Sequence, residues 1–334
     1  MQLKSPIGRA PNRRRFTLAL AAGAASVAAP AWSQPAWPSK PIRIIVPYTP
    51  GGFTDQMARL VQPGLQKALG QTIVIENKPG ANSILGVDAL AKSPADGSTF
   101  GVVIAAYAAN TTLYPKLPYN PAKDLTGVAL LGVSPLVAGV SNSAPFKTAA
   151  ELIDYARAHP GKISFGSSGN GSAAHLTTEL WKMQTRTFMV HIPYRGAAPA
   201  LTDLMGGQIP LFFDAATGLI NPGKSGRVRL IGVAGDKRLP VLPDTPTFIE
   251  QGFKDFTGST WAGLLAPAGT PRDIVQRVNS EINKLLASDE IKARLDAMGT
   301  FVGGGTPEDF NRFIAAETAK WSKVIKAAGV TADG

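Results

Sequence analysis

Three short segments combine glycine, hydroxyl and polar side chains in a way that suits the capture of a small molecule. The first spans residues 49–55 and contains Thr49, Gly51, Gly52, Phe53, Thr54 and Asp55. The second, residues 167–172, contains Ser167, Ser168, Gly169 and Ser172. The third opens with Tyr194 and Arg195. Each follows an apolar run and leads into a helical pattern. A helix start offers unpaired backbone N–H groups and the positive end of a dipole, which together form an anion site. Glycine lets backbone approach a ligand closely. In open α/β sheets ligands bind outside the carboxyl ends of strands. Three such loops on separate strands therefore favour an anionic small molecule held mainly by neutral donors. Asp55 and Ser172 also fit ordinary helix starts, where an acid or a hydroxyl is favoured without any ligand. Asp214 ends an apolar run, so burying it calls for a partner: a ligand N–H, Arg195 or water.

Competing chemistries find little support. The chain has no cysteine, which excludes disulfides, thiolate metal sites, a cysteine nucleophile and a lipidated cysteine. Its three histidines, His159, His175 and His191, are too dispersed for a persuasive metal cluster. Residues 218–225 (GLINPGKS) match the P-loop pattern by letter, yet a strand-like run follows where a helix is required. Residues 169–174 mimic a dinucleotide fingerprint, but the acid expected about 20 residues on is absent. No nucleophile elbow, catalytic triad or paired-carboxylate pattern stands out, so no catalytic residue, metal or cofactor is expected. His175 and Trp261 are expected to pack.

The elements that must position these loops follow from periodicity. Apolar runs at 42–46, 72–75, 100–104, 162–165, 188–192, 209–213 and 229–234 read as strands. Helical patterns separate many of them, which implies βαβ units and a mostly parallel sheet. A helix opens at Thr54, with Met57, Leu60, Val61, Leu65 and Leu69 on one face and Pro63 predicting a kink. Thr148 with Glu151 forms a capping box. Thr270-Pro271 and Thr306-Pro307 announce two C-terminal helices, each as an N-cap followed by proline.

The first 33 residues read as an export signal: Lys4, Arg9, Arg13, Arg14 and Arg15, then an apolar run at 18–29, then small residues with cleavage near Ala31 or Ser33. The run after Arg13-Arg14-Arg15 also suits twin-arginine export. The whole chain carries 34 basic and 23 acidic residues. Five of the bases lie in that segment, leaving a net charge near +6. The charges are scattered, which argues against a nucleic-acid partner.

At its loops the sequence resembles the solute-binding proteins of tripartite tricarboxylate transporters, the Bug receptors. The resemblance rests on residues 47–55 (PYTPGGFTD), 74–81 (VIENKPGA), 167–172 (SSGNGS) with His175, 191–196 (HIPYRG), 243–247 (PDTPT) and 266–271 (APAGTP). It covers nearly the whole chain after the signal. Asn82 and Ser83 stand where members often carry glycines. The resemblance implies an α/β protein of the type II periplasmic-binding-protein fold, two Rossmann-like lobes around a ligand cleft. One lobe is expected over 34–140 plus 258–334 and the other over 141–257, with crossings near 138–142 and 256–260. It also implies that the first loop and the Ser/Gly loop grip a ligand carboxylate, with Ala106, Tyr107 and Asp214 lining the rest. Phe53 and Tyr107 point to room for a flat or aromatic ligand. A soluble monomeric periplasmic receptor is expected, docking on membrane permease subunits or on a sensor domain and needing no cofactor.

Overall fold

A computed structural model describes Gln2 and residues 37–332. The export signal expected over residues 1–33 lies, apart from Gln2, outside the described residues. Strands β1 (Ile42–Val46), β2 (Ile73–Asn77) and β3 (Thr99–Ile104) are parallel, joined by α1 (Phe53–Leu69) and α2 (Ile84–Ala91). α3 (Ala105–Leu113) leaves β3 directly. The 17-residue strand β4 (Leu125–Ser141) then runs antiparallel to β9 (Ser259–Pro267) as far as Pro135. From Leu136 it pairs instead with β7 (Leu211–Ala215), and from Val137 also with β8 (Val228–Val233).

Beyond β4 the chain repeats its opening theme. α4 (Ala149–Ala158), β5 (Ser164–Ser167), α5 (Ala173–Thr185), β6 (Val190–Pro193), α6 (Ala197–Met205), β7, α7 (Ala216–Lys224) and β8 follow in order. The strand order β2-β1-β3-β9-β4-β7-β5-β6 contains one pattern twice. In each half the second parallel strand lies outside the first, the third lies inside it, and an antiparallel strand comes next. This is the two-lobed type II arrangement. The C-terminal α8 (Arg272–Ala287), α9 (Asp289–Ala297), β10 (Phe301–Val302) and α10 (Pro307–Ala328) return to the first half.

Packing follows the apolar stripes. Met57, Leu60, Val61 and Leu65 of α1 are buried with Ile274, Val278 and Ile282 of α8 against β1 and β3. In the second half Trp181 sits among Phe213, Phe248 and Phe256, with ring centroids 4.6–6.4 Å away. A smaller cluster joins Ala109 and Leu113 of α3, Leu176 of α5, and Trp321, Val324 and Ile325 of α10.

Several local expectations change in detail. α1 opens at Phe53 and continues through Pro63 as one helix. Thr148 Oγ1 accepts the Glu151 N–H, but the Glu151 carboxylate turns to the Lys147 N–H rather than closing the box. Thr270 is not a cap: its hydroxyl donates to Pro267 O, and α8 begins after Pro271. Thr306 and Asp309 do form a reciprocal capping box.

Candidate functional site

Five helices begin at the wall of one cavity of about 410 Å³. Their first residues lie in that wall: Gly52–Thr54 at α1, Ala106 at α3, Ser172–Ala174 at α5, Gly196–Ala198 at α6, and Ala215 with Thr217 and Gly218 at α7. α5 is capped by Ser172, whose Oγ accepts the His175 N–H at 3.3 Å. No side chain caps α1, α3, α6 or α7. Of the helices that start elsewhere, α4, α9 and α10 are capped by Thr148, Ser288 and Thr306, while α2 and α8 carry no side-chain cap. Uncapped first turns leave N–H groups to be satisfied by water or ligand, and several aimed at one volume suit an anion.

The first loop is held from behind. The Asp55 carboxylate accepts from the Gly51 N–H at 2.9 Å, Arg59 Nε at 2.9 Å and Asn77 Nδ2 at 3.0 Å. Burial alone would raise its pKa, but the bonds from Arg59, Gly51 and Asn77 outweigh that and hold it below the usual carboxylate range. Asn77 Nδ2 also donates to Tyr48 O, tying the end of β2 to the loop. Phe53 packs against the cores of both halves.

The Ser/Gly loop has a similar brace. Ser167 is fully buried, its Oγ lying 2.6 Å from His191 Nε2 and accepting the Gly169 N–H at 3.1 Å. Burial, reinforced by the neighbouring His175, pushes His191 down to about 3, so its ring stays neutral. His175 stacks on His191 at 3.7 Å and accepts the Gly171 N–H through Nδ1.

Of the residues expected from sequence, Thr49, Gly51, Gly52, Phe53, Thr54, Ala106, Ser168, Ser172, Arg195 and Asp214 line the cavity. Asp55, Tyr107, Ser167, Gly169 and Tyr194 do not. Asp55 and Ser167 are the braces just described. Tyr107 points away, its hydroxyl donating to Pro121 O, and Tyr194 OH donates to Asp203. Arg195 stands exposed at the rim with no ion pair or hydrogen bond among the described residues. Burial pushes the Asp214 carboxyl up to about 7, with the Ala215 N–H as partial relief. Its Oδ2 lies against Gly218, where any side chain would collide with it.

Among the lining residues not expected as site residues from sequence are the polar Gln56, Asn82, Thr217 and Thr260. Thr217 Oγ1 donates to Gln56 Oε1 at 3.2 Å, bridging α7 and α1. Thr260, at the start of β9, is 5% exposed and its Oγ1 has no partner. Such an orphaned buried hydroxyl in a cavity wall calls for a water or a ligand atom. At Asn82 the backbone is strained: Ala81, Asn82 and Ser83 take φ of 47°, 47° and 75° in succession. Each left-handed non-glycine residue costs on the order of 1–3 kcal/mol.

The letters resembling a P-loop fall mostly inside α7, with Pro222 and Gly223 in its last turn and β8 following. No nucleotide loop exists there.

Two α/β halves meeting at a cavity walled by helix starts define a solute-binding protein. Residues 57–330 match the tripartite tricarboxylate transporter family receptor, and the chain belongs to that family, which is one of binding receptors rather than enzymes. It is 36% identical over 307 residues to protein BugT of Bordetella pertussis, covering 91% of this chain and 94% of that one. Among solved structures it is similar to the R. palustris protein Rpa4515 with adipate, at 37% identity and a TM-score of 0.85, covering 88% of this chain and 99% of that one. MatC from Rhodopseudomonas palustris with bound malate is 31% identical with a TM-score of 0.80, over 86% of this chain and 100% of that one.

Proposed function

We propose that this receptor is exported to the periplasm and closes its two lobes on a small carboxylate, which it delivers to the membrane permease of a tripartite tricarboxylate-type transporter. The observation that carries the reading is the set of four uncapped helix starts around one cavity of about 410 Å³. A carboxylate satisfies several such N–H groups at once without a counter-charge buried beside it. The binding of adipate and malate by related structures supports the same ligand class. The lobes are assigned as residues 34–140 with 258–334, and residues 141–257.

In this reading Thr49, Gly51, Gly52, Phe53, Thr54, Ser168 and Ser172 hold the ligand carboxylate, with main-chain N–H groups as the principal donors. Asp55 and Ser167 fix the two loops without touching the ligand. Arg195 draws anions toward the mouth, and Thr260, Gln56 and Asp214 contact the far end of the ligand directly or through water. Closure is favourable only through contacts that exist in the closed form. Isothermal calorimetry of protein beginning at Gln34 with adipate, malate and an aromatic monocarboxylate tests the proposal. Stoichiometric binding of at least one, with ligand recovered unchanged, is expected. Turnover of a bound ligand would overturn it.

A further inference from the structure

The turn after β2 departs from relaxed backbone geometry more than any other described segment. Gly80, Ala81, Asn82 and Ser83 all have positive φ, at 137°, 47°, 47° and 75°. Glycine would adopt these angles without penalty, yet three of the four positions carry side chains. Ala81 offers only a methyl group. Ser83 is 2% exposed, and its Oγ faces the buried Tyr48 hydroxyl. Asn82 is different, because its side chain lines the cavity and reaches out of the turn. Its Nδ2 donates to Asn110 Oδ1 at 2.9 Å and to Asn170 O at 3.0 Å. Asn110, fully buried on α3, returns a bond from its own Nδ2 to Asn82 O at 2.8 Å.

The bond to Asn170 crosses from one half of the protein to the other. Asn170 sits in the Ser/Gly loop between Ser168 and Ser172, both in the cavity wall. Next to it, Gly171 lies directly against Leu113 of α3, which leaves no room for a side chain. At this corner the two lobes touch through that amide hydrogen bond, a second one from Asn170 Nδ2 to Ala332 O at 3.2 Å, the close-packed glycine, and Leu176 set among Leu113 and Trp321. Strain at a functional site persists when a contact made elsewhere requires it.

We propose that Asn82 is a positioning residue for ligand. Anchored by Asn110, it holds the Ser/Gly loop over the cleft by its bond to the main chain at Asn170, and the strained turn is retained because that bond exists only when the lobes are closed. The inference rests on the receptor reading for its use of closure, while the latch can be read without any ligand.

The test uses two replacements that move stability in opposite directions. Asn82→Gly removes the side chain and relieves the strain, whereas Asn82→Ala removes the side chain and keeps it. Because the chain has no cysteine, Lys67→Cys on α1 and Lys224→Cys on α7, both exposed, place spin labels on opposite lobes. Dipolar distance distributions then report closure with and without adipate, and calorimetry reports adipate affinity. Unfolding temperature should rise or hold for Asn82→Gly and fall for Asn82→Ala. Both variants should nevertheless lose affinity and the closed population to a similar extent, about tenfold for one interlobe hydrogen bond near the upper end of its usual worth.

Affinity that follows unfolding temperature would overturn the proposal and leave the residue a merely structural role. So would an unchanged closed population in both variants. Failure of adipate and other carboxylates to bind the wild type contradicts the receptor reading instead, and the distances in unliganded protein still decide the latch.

Discussion

Asp214→Asn tests the electrostatics of the cavity wall, and its size follows from the structure. The ordinary carboxyl value of 3.8 is pushed up to about 7 by burial, a difference of roughly three pH units at about 1.4 kcal/mol each. The folded protein holds this proton more tightly than the unfolded chain does. Its contribution is therefore fully present below the unfolded value and is lost as pH rises toward 7. Wild type thus carries a penalty of up to about 4 kcal/mol near pH 8, reduced where cavity water reaches the carboxyl. Asparagine has nearly the same shape and carries no such penalty. Between about pH 5 and about pH 8 the variant should gain roughly 2–3 kcal/mol on wild type, or about 4–8 °C in unfolding temperature. Thermal unfolding of both proteins across that range measures the gap. Parallel curves would refute the reasoning and show that Asp214 is ionised and well solvated in the fold.

Four other outcomes follow from the same geometry. Asp55→Ala should cost about 2–4 kcal/mol, because it strips a carboxylate from three donors, and it should weaken carboxylate binding by releasing the first loop. The Asp55 pKa is depressed in the fold, so its stabilisation is present above the ordinary carboxyl value of 3.8 and is lost as pH falls below it; the acid side of the wild-type stability profile should flatten in the variant. Glu317→Ala leaves the indole N–H groups of Trp261 and Trp321 unpaired and should cost about 2–4 kcal/mol in denaturant unfolding. Thr306→Ala removes the capping box of α10 and should cost about 1 kcal/mol with carboxylate affinity unchanged by calorimetry. Gly171→Ala meets Leu113 at a φ of 71° and should hold the lobes apart, lowering affinity in the same assay.

The helices that the sequence displays well are those with one wet face. α1 and α8 carry clean apolar stripes: α1 buries the expected Met57, Leu60, Val61 and Leu65, with Leu69 partly buried, and α8 buries Ile274, Val275, Val278, Ile282 and Leu286. α3 gives no such signal because seven of its nine residues are buried, so its apolar positions wrap around it instead of forming a stripe. α7 is disguised by Gly218, Pro222 and Gly223. Gly218 leaves space for the Asp214 carboxyl, while Pro222 and Gly223 lie close to the end of the helix, where loss of a hydrogen bond costs little.

The same division runs through the site. Loops of glycine and hydroxyl residues at strand ends announced three stretches of the cavity wall. Composition could not separate lining from bracing: Thr54 faces the cavity, whereas Asp55 next to it turns back to Arg59 and Asn77. Nor could it find Thr260 and Thr217, which reach the cavity only because β4 and β9 bring distant segments together. The missed signal at Asn82 was local and subtle, an Asn-Ser pair after Pro79-Gly80, in a turn whose backbone favours glycine.

The most direct test of the central claim is a paired thermal-shift titration, comparing carboxylates with their primary amides on ligand-stripped protein beginning at Gln34. The account predicts that a binding carboxylate stabilises the protein by about 2.7 kcal/mol at 100-fold over its dissociation constant. The matching amide should give no shift, and Thr54→Ala or Ser168→Ala should diminish the carboxylate's effect. Equal stabilisation by acid and amide would contradict the account, since helix starts left open for an anion would then not be what the ligand uses.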